Sequence, residues 1–335
     1  MPTQRKRIAL LFCGGTTLNQ KDGPGDSVRT ERDIPKWLAN FAELTLIADV
    51  EPHFIYGGEA AGVGRREWAK IVEVVSKRQG QVDGFLITHG LDTLPYTANM
   101  LAFLIQGLNK PVVLTGSIVA GKTERSVIVE SAFQHFKGME AKANLVNAAQ
   151  VAASDVGEVV VVFGNRVLRA SRTIRATTPS ANPFDTQDQS VLGKIDFGVR
   201  FAAHHPKRTS KKPQFTTAVD TKVTIVNWHP GVDMSMLRQS LGTTLHGVII
   251  HMSESNYIPD DLYQLFRHAQ EHGVAVVLYT ATGPKRLKES EFILVDRMSL
   301  IATLTKLMWV LGKSRDLTKV RKYLQTPFAN ELLNS

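Results

Sequence analysis

The sequence contains very little cysteine, because Cys13 is the single one among 335 residues. One cysteine excludes an internal disulfide and a four-thiolate zinc site, which favours a reducing compartment over secretion. Long hydrophobic runs are also absent, since no apolar stretch approaches the roughly 20 residues that span a bilayer. The apolar run 8–12 is too short for a secretory signal, so we predict that it forms a buried strand. We therefore expect a cytoplasmic protein without a membrane segment.

Acidic side chains are outnumbered, with 31 Asp and Glu against 40 Lys and Arg, and the formal net charge is +9. Such a balance favours contact with polyanions only where basic residues cluster. Four of them lie close together in the segment 204–220, at Lys207, Arg208, Lys211 and Lys212. Four charges in a solvated loop are more typical of ordinary protein surface, so we expect no nucleic-acid partner. The hydrophobic fraction of 43% excludes disordered and fibrous proteins.

Short apolar runs alternate with amphipathic helical patterns along the chain. Apolar side chains repeat at helical spacing in residues 68–75 and 94–108. Most predicted strands are continuously apolar and β-branched, as expected of strands covered on both faces; they are 8–13, 44–50, 84–88, 111–115, 159–163, 222–227, 247–251 and 274–279. This alternation predicts an α/β fold with a largely parallel sheet, whose ligands bind at the carboxyl ends of the strands.

The segment 204–220 interrupts this alternation. It contains two prolines and four Lys or Arg with little apolar periodicity, a composition typical of an exposed linker. The chain is also longer than one hydrophobic core usually serves. We therefore predict an N-terminal α/β domain at 1–203, a linker at 204–220 and a smaller α/β domain at 221–335.

Two strand ends carry residues that are suited to chemistry. The first strand ends in CGGTT, where two glycines permit a turn that other residues cannot adopt and could present the hydroxyl of Thr16 as a nucleophile. The alternative is a tight turn with capping hydroxyls. After the strand 84–88, Asp92 lies where a helix begins and could receive the ammonium group of a substrate. The alternative for Asp92 is plain helix capping.

Together these segments resemble the L-asparaginase/glutaminase family. The resemblance is carried by CGGTT, by VDGFLITHGLDTLPYTANMLAFLIQGLNKPVVLTGS, by NLVNAAQVAASDVGEVVVVFGNRVLRASRTIRA and by KLMWVLG, in the same order along nearly the whole chain. It implies a parallel-sheet N-terminal domain, a smaller α/β C-terminal domain and hydrolysis of a side-chain amide.

The resemblance also implies partners. The ligand would be small and amino-acid-like, the chain would form a homodimer or homotetramer, and we expect neither a cofactor nor a metal. A related archaeal protein acts on charged tRNA and carries an extra N-terminal domain. Because the first predicted strand here begins at about residue 7, we do not expect the same assembly.

The resemblance assigns roles to particular residues. Thr16 matches the nucleophile that attacks the amide carbonyl, and Asp92 matches the aspartate that binds the amino group of the substrate. Leu91 replaces the second threonine of the family, and Arg175 replaces its lysine. We therefore assign Thr16, Asp92 and Arg175 to the catalytic set. The expected substrate-binding residues are Gly15, Gly58, Glu59, Gly90, Leu91, Asp92 and Ser117.

Leu91 and Arg175 change the expected chemistry. Leucine has no hydroxyl and arginine stays protonated, so with Asp92 they would form an ion pair beside an apolar wall and no proton relay. Glu59 would repel a carboxylate substrate unless Arg175 offsets its charge. Two hypotheses remain open: an active amidohydrolase in which another group activates water, and an inactive homologue whose pocket binds a ligand or a protein.

Two further motifs compete with this interpretation. Residues 116–123 match the phosphate-binding loop pattern G-x-x-x-x-G-K-[ST], which ends in Lys122 and Thr123, between a predicted strand and a helical pattern at 123–136. No carboxylate partner for Mg²⁺ stands out, so nucleotide binding is the minor alternative. Residues 268–272 fit the zinc-peptidase pattern H-x-x-E-H, but no third ligand follows.

Overall fold

The computed structural model describes residues 5–15, 28–107, 109–118, 127–177, 182–203, 205–208, 212–229, 231–241, 244–252, 258–280 and 292–333, with the side chains of 127–139, 236 and 240 excepted. Within these residues no helix combines the length and apolarity needed to cross a bilayer. The chain divides into two compact units, Met1–Thr217 and Ala218–Ser335. The division falls inside the segment 204–220, whose three-part boundary remains a prediction.

The first unit is built on an eight-stranded sheet. Its strands are β1 (Arg7–Cys13), β2 (Asp49–Tyr56), β3 (Gly84–His89), β5 (Val112–Thr115), β6 (Val159–Phe163), β7 (Arg166–Arg169), β10 (Gly193–Ile195) and β11 (Val199–Phe201). They lie in the order β11-β10-β7-β6-β5-β3-β1-β2. The five neighbouring strands β2, β1, β3, β5 and β6 run parallel to one another. The strands β7, β10 and β11 extend the sheet with antiparallel pairing. Two small antiparallel pairs join β4 (Ile105–Gln106) to β12 (Gln214–Phe215) and β8 (Thr173–Arg175) to β9 (Phe184–Thr186).

Helices cover both faces of this sheet. They are α1 (Ile34–Ala39), α2 (Leu44–Ile47), α3 (Arg65–Arg78), α4 (Leu94–Leu104) and α5 (Val127–Ala152), with 3-10 turns at Glu31–Asp33, Ala60–Gly62 and Ala170–Arg172. On one face α1, α2 and α5 bury the core, where Phe12 meets Trp37 edge-to-face at a ring-centroid distance of 5.1 Å. On the other face α3 and α4 contact the strands. Strands covered on both faces must be apolar throughout, which explains the continuous runs.

The strand predicted at 44–50 is wrong in its first half. Leu44–Ile47 is the short helix α2, and the strand β2 begins only at Asp49. Because β2 is the edge of the sheet and pairs with β1 alone, it lacks a continuous apolar run and tolerates Pro52. The apolar run 44–47 instead buries Leu44 against the core and leaves Leu46 82% exposed.

The helix predicted over 94–108 also ends early. Helix α4 stops at Leu104, and Ile105 and Gln106 form the strand β4 that pairs with β12. The apolar side chains that extended the helical pattern fit a strand equally well, and the pairing with a segment more than a hundred residues away decides between the two.

The described part of the segment 205–217 packs on the first unit. Gly157 donates its backbone N–H to the carbonyl of Pro206 at 2.9 Å. Arg208 donates from Nη2 to the carbonyls of Asp83 at 3.0 Å and Ser154 at 2.8 Å. One of the four basic side chains therefore caps carbonyl groups of the unit, whereas Lys207 is exposed.

The second unit contains a smaller parallel sheet. Its elements are β13 (Val223–Trp228), α6 (Met234–Leu241), β14 (Gly247–Met252), α7 (Asp260–Glu271), β15 (Ala275–Tyr279), β16 (Ile293–Val295), α8 (Leu300–Lys313) and α9 (Leu317–Gln325). The four strands lie in the order β13-β14-β15-β16 and pair in parallel throughout. The predicted fold class, a parallel-sheet domain followed by a smaller α/β domain, is confirmed.

Candidate functional site

The carboxyl ends of β1 and β3 meet in direct backbone contact. Gly14 and Gly15 follow β1 with φ angles of 68° and 92°, which side chains with a Cβ rarely adopt. A Cβ placed on Gly15 would lie 2.3 Å from the backbone nitrogen of Gly90. A Cβ on Gly90 would in turn lie 2.3 Å from the Cβ of Ala60. Glycine at these positions lets the turn after β1 touch the turn after β3.

The turn after β2 closes on the same edge. Gly14 donates its N–H to the carbonyl of Tyr56 at 2.7 Å, and Gly15 donates to the carbonyl of Gly58 at 3.4 Å. Glu59 follows and is exposed. The expected substrate-binding residues Gly15, Gly58, Glu59 and Gly90 thus converge at the carboxyl ends of three parallel strands, where an α/β sheet binds ligands.

Thr16, the expected nucleophile, lies outside the described residues. The structure describes the chain as far as Gly15 and again from Val28. A cavity shared by Thr16 and Asp92 therefore stays a prediction, which the contact between Gly15 and Gly90 supports.

Asp92 is exposed at the start of α4. The N-cap position belongs to Thr93, whose hydroxyl donates to the carbonyl of Ala60 at 2.7 Å. Among the described residues the carboxylate of Asp92 forms neither a hydrogen bond nor an ion pair. Plain helix capping, the alternative for Asp92, does not occur within this part of the chain, and its role in binding a substrate stays a prediction.

Leu91 and Arg175 were expected to form a group with Asp92. Leu91 is 8% exposed, and its Cδ2 would lie 2.8 Å from a Cβ on Gly116. Arg175 is exposed at the end of β8, and its guanidinium carbon lies 5.8 Å from the ring centroid of Phe184. Within the described chain Arg175 makes no ion pair with Asp92. The placement of Arg175 and Asp92 in one catalytic set therefore stays a prediction.

The loop after β5 is held by a buried asparagine. Asn144 donates from Nδ2 to the carbonyl of Gly116 and to Glu140, and its Oδ1 accepts the N–H of Gly164, each at 2.9 Å. Burial raises the pKa of the Glu140 carboxyl above its ordinary value. Ser117, an expected substrate-binding residue, is 5% exposed beside these groups.

The motif at 116–123 is described only in part. Residues 119–126, with Lys122 and Thr123, lie outside the described residues, and α5 runs from Val127. Nucleotide binding through this loop stays a prediction.

Sequence reasoning missed one buried residue of the site, His89, which ends β3. Its Nδ1 lies 2.8 Å from the carbonyl oxygen of Gly90, and its Nε2 lies 2.9 Å from the hydroxyl of Thr97. Thr97 also accepts the indole N–H of Trp68 at 3.0 Å. The side chain is 0% exposed, and burial lowers the pKa of the imidazole to about 4. A histidine at the end of a mostly apolar strand was the signal that could have revealed it, since such a strand is buried on both faces.

Two other residue sets were considered as reactive groups. Cys13 is 0% exposed, and burial raises the pKa of its thiol to about 12, as expected of a small core residue. In the second unit His272 donates from Nδ1 to the carbonyl of His268 at 2.8 Å. Among the described residues no group of three or more His, Cys, Asp or Glu could hold a metal ion.

Comparison with known proteins gives two family matches that cover most of the chain. The model described as "Asparaginase, N-terminal" matches residues 7–207, and the model described as "Glutaminase/Asparaginase C-terminal domain" matches residues 222–324.

Individual relatives agree with these matches. The L-asparaginase of Thermococcus kodakarensis is 25% identical over 98% of this chain and 100% of its own length. A glutamyl-tRNA(Gln) amidotransferase component from Pyrococcus horikoshii is 25% identical over 97% of this chain and 76% of its own length. The crystal structure of L-asparaginase I from Vibrio cholerae is similar in fold, with a TM-score of 0.81, 24% identity and coverage of 98% of this chain and 100% of that chain.

Proposed function

The chain belongs to the L-asparaginase/glutaminase family, and from that premise we propose that it hydrolyses the side-chain amide of an amino-acid-like substrate with Thr16 as the nucleophile. The contact between Gly15 and Gly90 is the observation that carries this proposal. It supports a site in which the residue after Gly15 and the residues after Gly90 face one ligand.

In the proposed reaction the Thr16 hydroxyl attacks the amide carbon, and the carbonyl oxygen becomes an oxyanion. Collapse of this intermediate breaks the C–N bond, and the NH2 group takes up a proton that balances the one lost by Thr16 and departs as ammonia. An acyl ester then remains on Thr16. Water then hydrolyses the ester and restores the hydroxyl. The exposed carboxylate of Asp92 holds the ammonium group of the substrate, because charge-assisted hydrogen bonds are stronger than neutral ones.

A second candidate is a homologue that binds the ligand without turnover. Leu91 and Arg175 favour it, because neither side chain accepts the proton that Thr16 must lose. General acid–base help contributes about 10² to 10⁴-fold in rate, so its absence would bring hydrolysis near background. Within the first candidate, another group has to take this proton.

The test is ammonia release from L-asparagine, L-glutamine and their D-isomers by the wild type and Thr16→Ala. We expect Thr16→Ala to lower kcat by about 10³-fold or more, since loss of a nucleophile removes the covalent route. Thr45→Ala is the matched control, because Thr45 is an exposed threonine on α2 whose hydroxyl bonds the nearby Ala42 carbonyl. Equal activity of Thr16→Ala and wild type would refute the nucleophile.

The two candidates are separated by the double change Leu91→Thr with Arg175→Lys. If the wild type binds aspartate in calorimetry but releases no ammonia, and the double variant hydrolyses asparagine, the scaffold is intact and only the relay is missing. If the wild type hydrolyses an amide by itself, the binding candidate is wrong.

The proposal extends to assembly and location. We propose a homodimer or homotetramer, as the family resemblance implies, and a cytoplasmic location, which the single cysteine favours. Light scattering of the purified chain at micromolar concentration measures its mass, and a monomer would contradict this part of the proposal.

A further inference from the structure

The hydrogen bonds around His89 have one possible direction. The indole N–H of Trp68 only donates, so the hydroxyl of Thr97 accepts it and turns its own proton to Nε2 of His89. The carbonyl of Gly90 only accepts, so Nδ1 of His89 carries the imidazole proton. Because burial keeps the imidazole neutral, Nε2 accepts from Thr97, and the donors run in one direction from α3 through α4 to the end of β3, with the ring proton on Nδ1.

This direction matters for the turn after β3. In a trans peptide the C=O and the following N–H point to opposite sides. Because His89 holds the carbonyl of Gly90, the N–H of Leu91 points away from the imidazole. Among the described residues this N–H has no hydrogen-bond partner, and the next residue is the exposed Asp92.

Gly90 needs such a restraint from outside. It has no side chain, since a Cβ would overlap Ala60, and glycine is the residue whose backbone is freest to rotate. The imidazole supplies the restraint, because it is fully buried and both ring nitrogens are bonded.

We propose that His89 is a positioning residue of the amide-hydrolysis site, in which its Nδ1–H holds the Gly90 carbonyl and thereby aims the Leu91 N–H and the Asp92 carboxylate at the substrate. This inference rests on the proposed function. The low pKa of the imidazole supports it, because the ring stays neutral at neutral pH and keeps Nε2 as an acceptor.

The test compares His89→Asn with His89→Gln. The amide of asparagine reaches the position of Nδ1 and can still donate to the Gly90 carbonyl, whereas the amide of glutamine reaches the position of Nε2 and can still accept from Thr97. We expect both variants to melt at lower temperature. We expect kcat to fall about threefold or less in His89→Asn and about tenfold or more in His89→Gln, because small misplacements of reacting groups lower rates steeply.

A purely structural histidine would give equal kcat values per folded molecule in the two variants, and that result would overturn the proposal. If the wild type has no turnover, the affinity for aspartate replaces kcat in the same comparison. Thr16→Ala is measured in parallel, so that a failed nucleophile and a failed positioning residue give different results.

A second measurement needs neither turnover nor a foldable variant. The ¹⁵N chemical shifts of the imidazole rings distinguish a protonated from an unprotonated Nδ1, and isotope labelling of the 10 histidines makes them visible. Sequence-specific assignment through the backbone of His89 identifies its ring resonances. Finding its proton on Nε2, or a mixture of tautomers, would overturn the proposal.

Discussion

Two hydrogen-bonded sets of side chains lie in the core, one in each unit, and they differ in charge. The first joins Trp68, Thr97 and His89 without any ionised group. The second is the ion pair of Lys306 with Glu331, at 2.5 Å with both side chains 0% exposed. Lys306 also donates to the carbonyls of Leu324 and Thr326, and Glu331 accepts the backbone N–H groups of Phe328 and Ala329.

A neutral hydrogen-bond network and a buried ion pair serve different purposes in a protein core. A neutral network with every donor matched is cheap to bury and can fix the direction of one peptide group. An ion pair loses the solvation of two charges, which only close contact and further hydrogen bonds offset. Desolvation accordingly lowers the pKa of Lys306 from its ordinary value. We infer that the ion pair anchors the chain after α9 onto α8, and that the neutral network serves the site.

The largest expected effect is on the ion pair. Glu331→Ala leaves Lys306 charged and buried without its counter-ion, so we expect the second unit to lose about 3–5 kcal/mol of unfolding free energy. Urea unfolding followed by circular dichroism measures it.

The control for this change is Glu73→Ala. Glu73 pairs with Lys77 at the same 2.5 Å, but both side chains are more than half exposed. We expect the urea midpoint to stay almost unchanged, because solvent screens an exposed pair. Similar losses in the two variants would show that burial does not distinguish the pairs.

The next effect tests whether the first network is neutral. The pKa of His89 is about 4 in the folded protein against an ordinary value of 6.5, so between these pH values the unfolded chain binds a proton that the folded chain does not. Stability therefore falls as the pH falls, by about 3 kcal/mol between pH 7 and 4 from this residue. The difference between wild type and His89→Asn isolates it, and parallel stability curves would contradict the burial argument.

A smaller effect is expected within the same network. Thr97→Val keeps the shape of the side chain but leaves the Trp68 N–H and Nε2 of His89 unpaired in the core. We expect a loss of about 1–3 kcal/mol, measured by urea unfolding. Thr45→Ala on the surface is the control. An unchanged midpoint would mean that the hydroxyl does not link the two side chains.

The smallest effect concerns Arg208, a partly buried cation that donates hydrogen bonds to backbone carbonyls. Arg208→Met removes the hydrogen bonds to Asp83 and Ser154, and we expect a loss of about 1–2 kcal/mol. Lys207→Met, next to it and exposed, should change stability by about 0.5 kcal/mol or less. Equal melting temperatures for the two variants would mean that this segment is not held by Arg208.

The central strands could be predicted because burial on both faces leaves a clear pattern. The segments 84–88 and 159–163 match β3 and β6 closely. The antiparallel extension by β10 and β11 was missed, because strands of three residues are too short for any periodicity to register.

Those parts of the site that require glycine could be predicted from the sequence. Those parts that depend on contacts between distant segments could not. The pair Gly14 and Gly15 and the residues around Gly90 could be found because their types are unusual after a strand. The position of Arg175 over Phe184 could not, since it depends on the pairing of β8 with β9.

The order of residues alone determined the α/β class, the family and the glycine-rich strand ends, because alternation, apolar runs and turn residues are local properties of the chain. Only the folded molecule decided that Gly15 touches Gly90, that the imidazole of His89 is neutral with its proton on Nδ1, and that Lys306 finds Glu331. Each of these depends on groups brought together by the fold, and their energies arise only when water has been removed from between them.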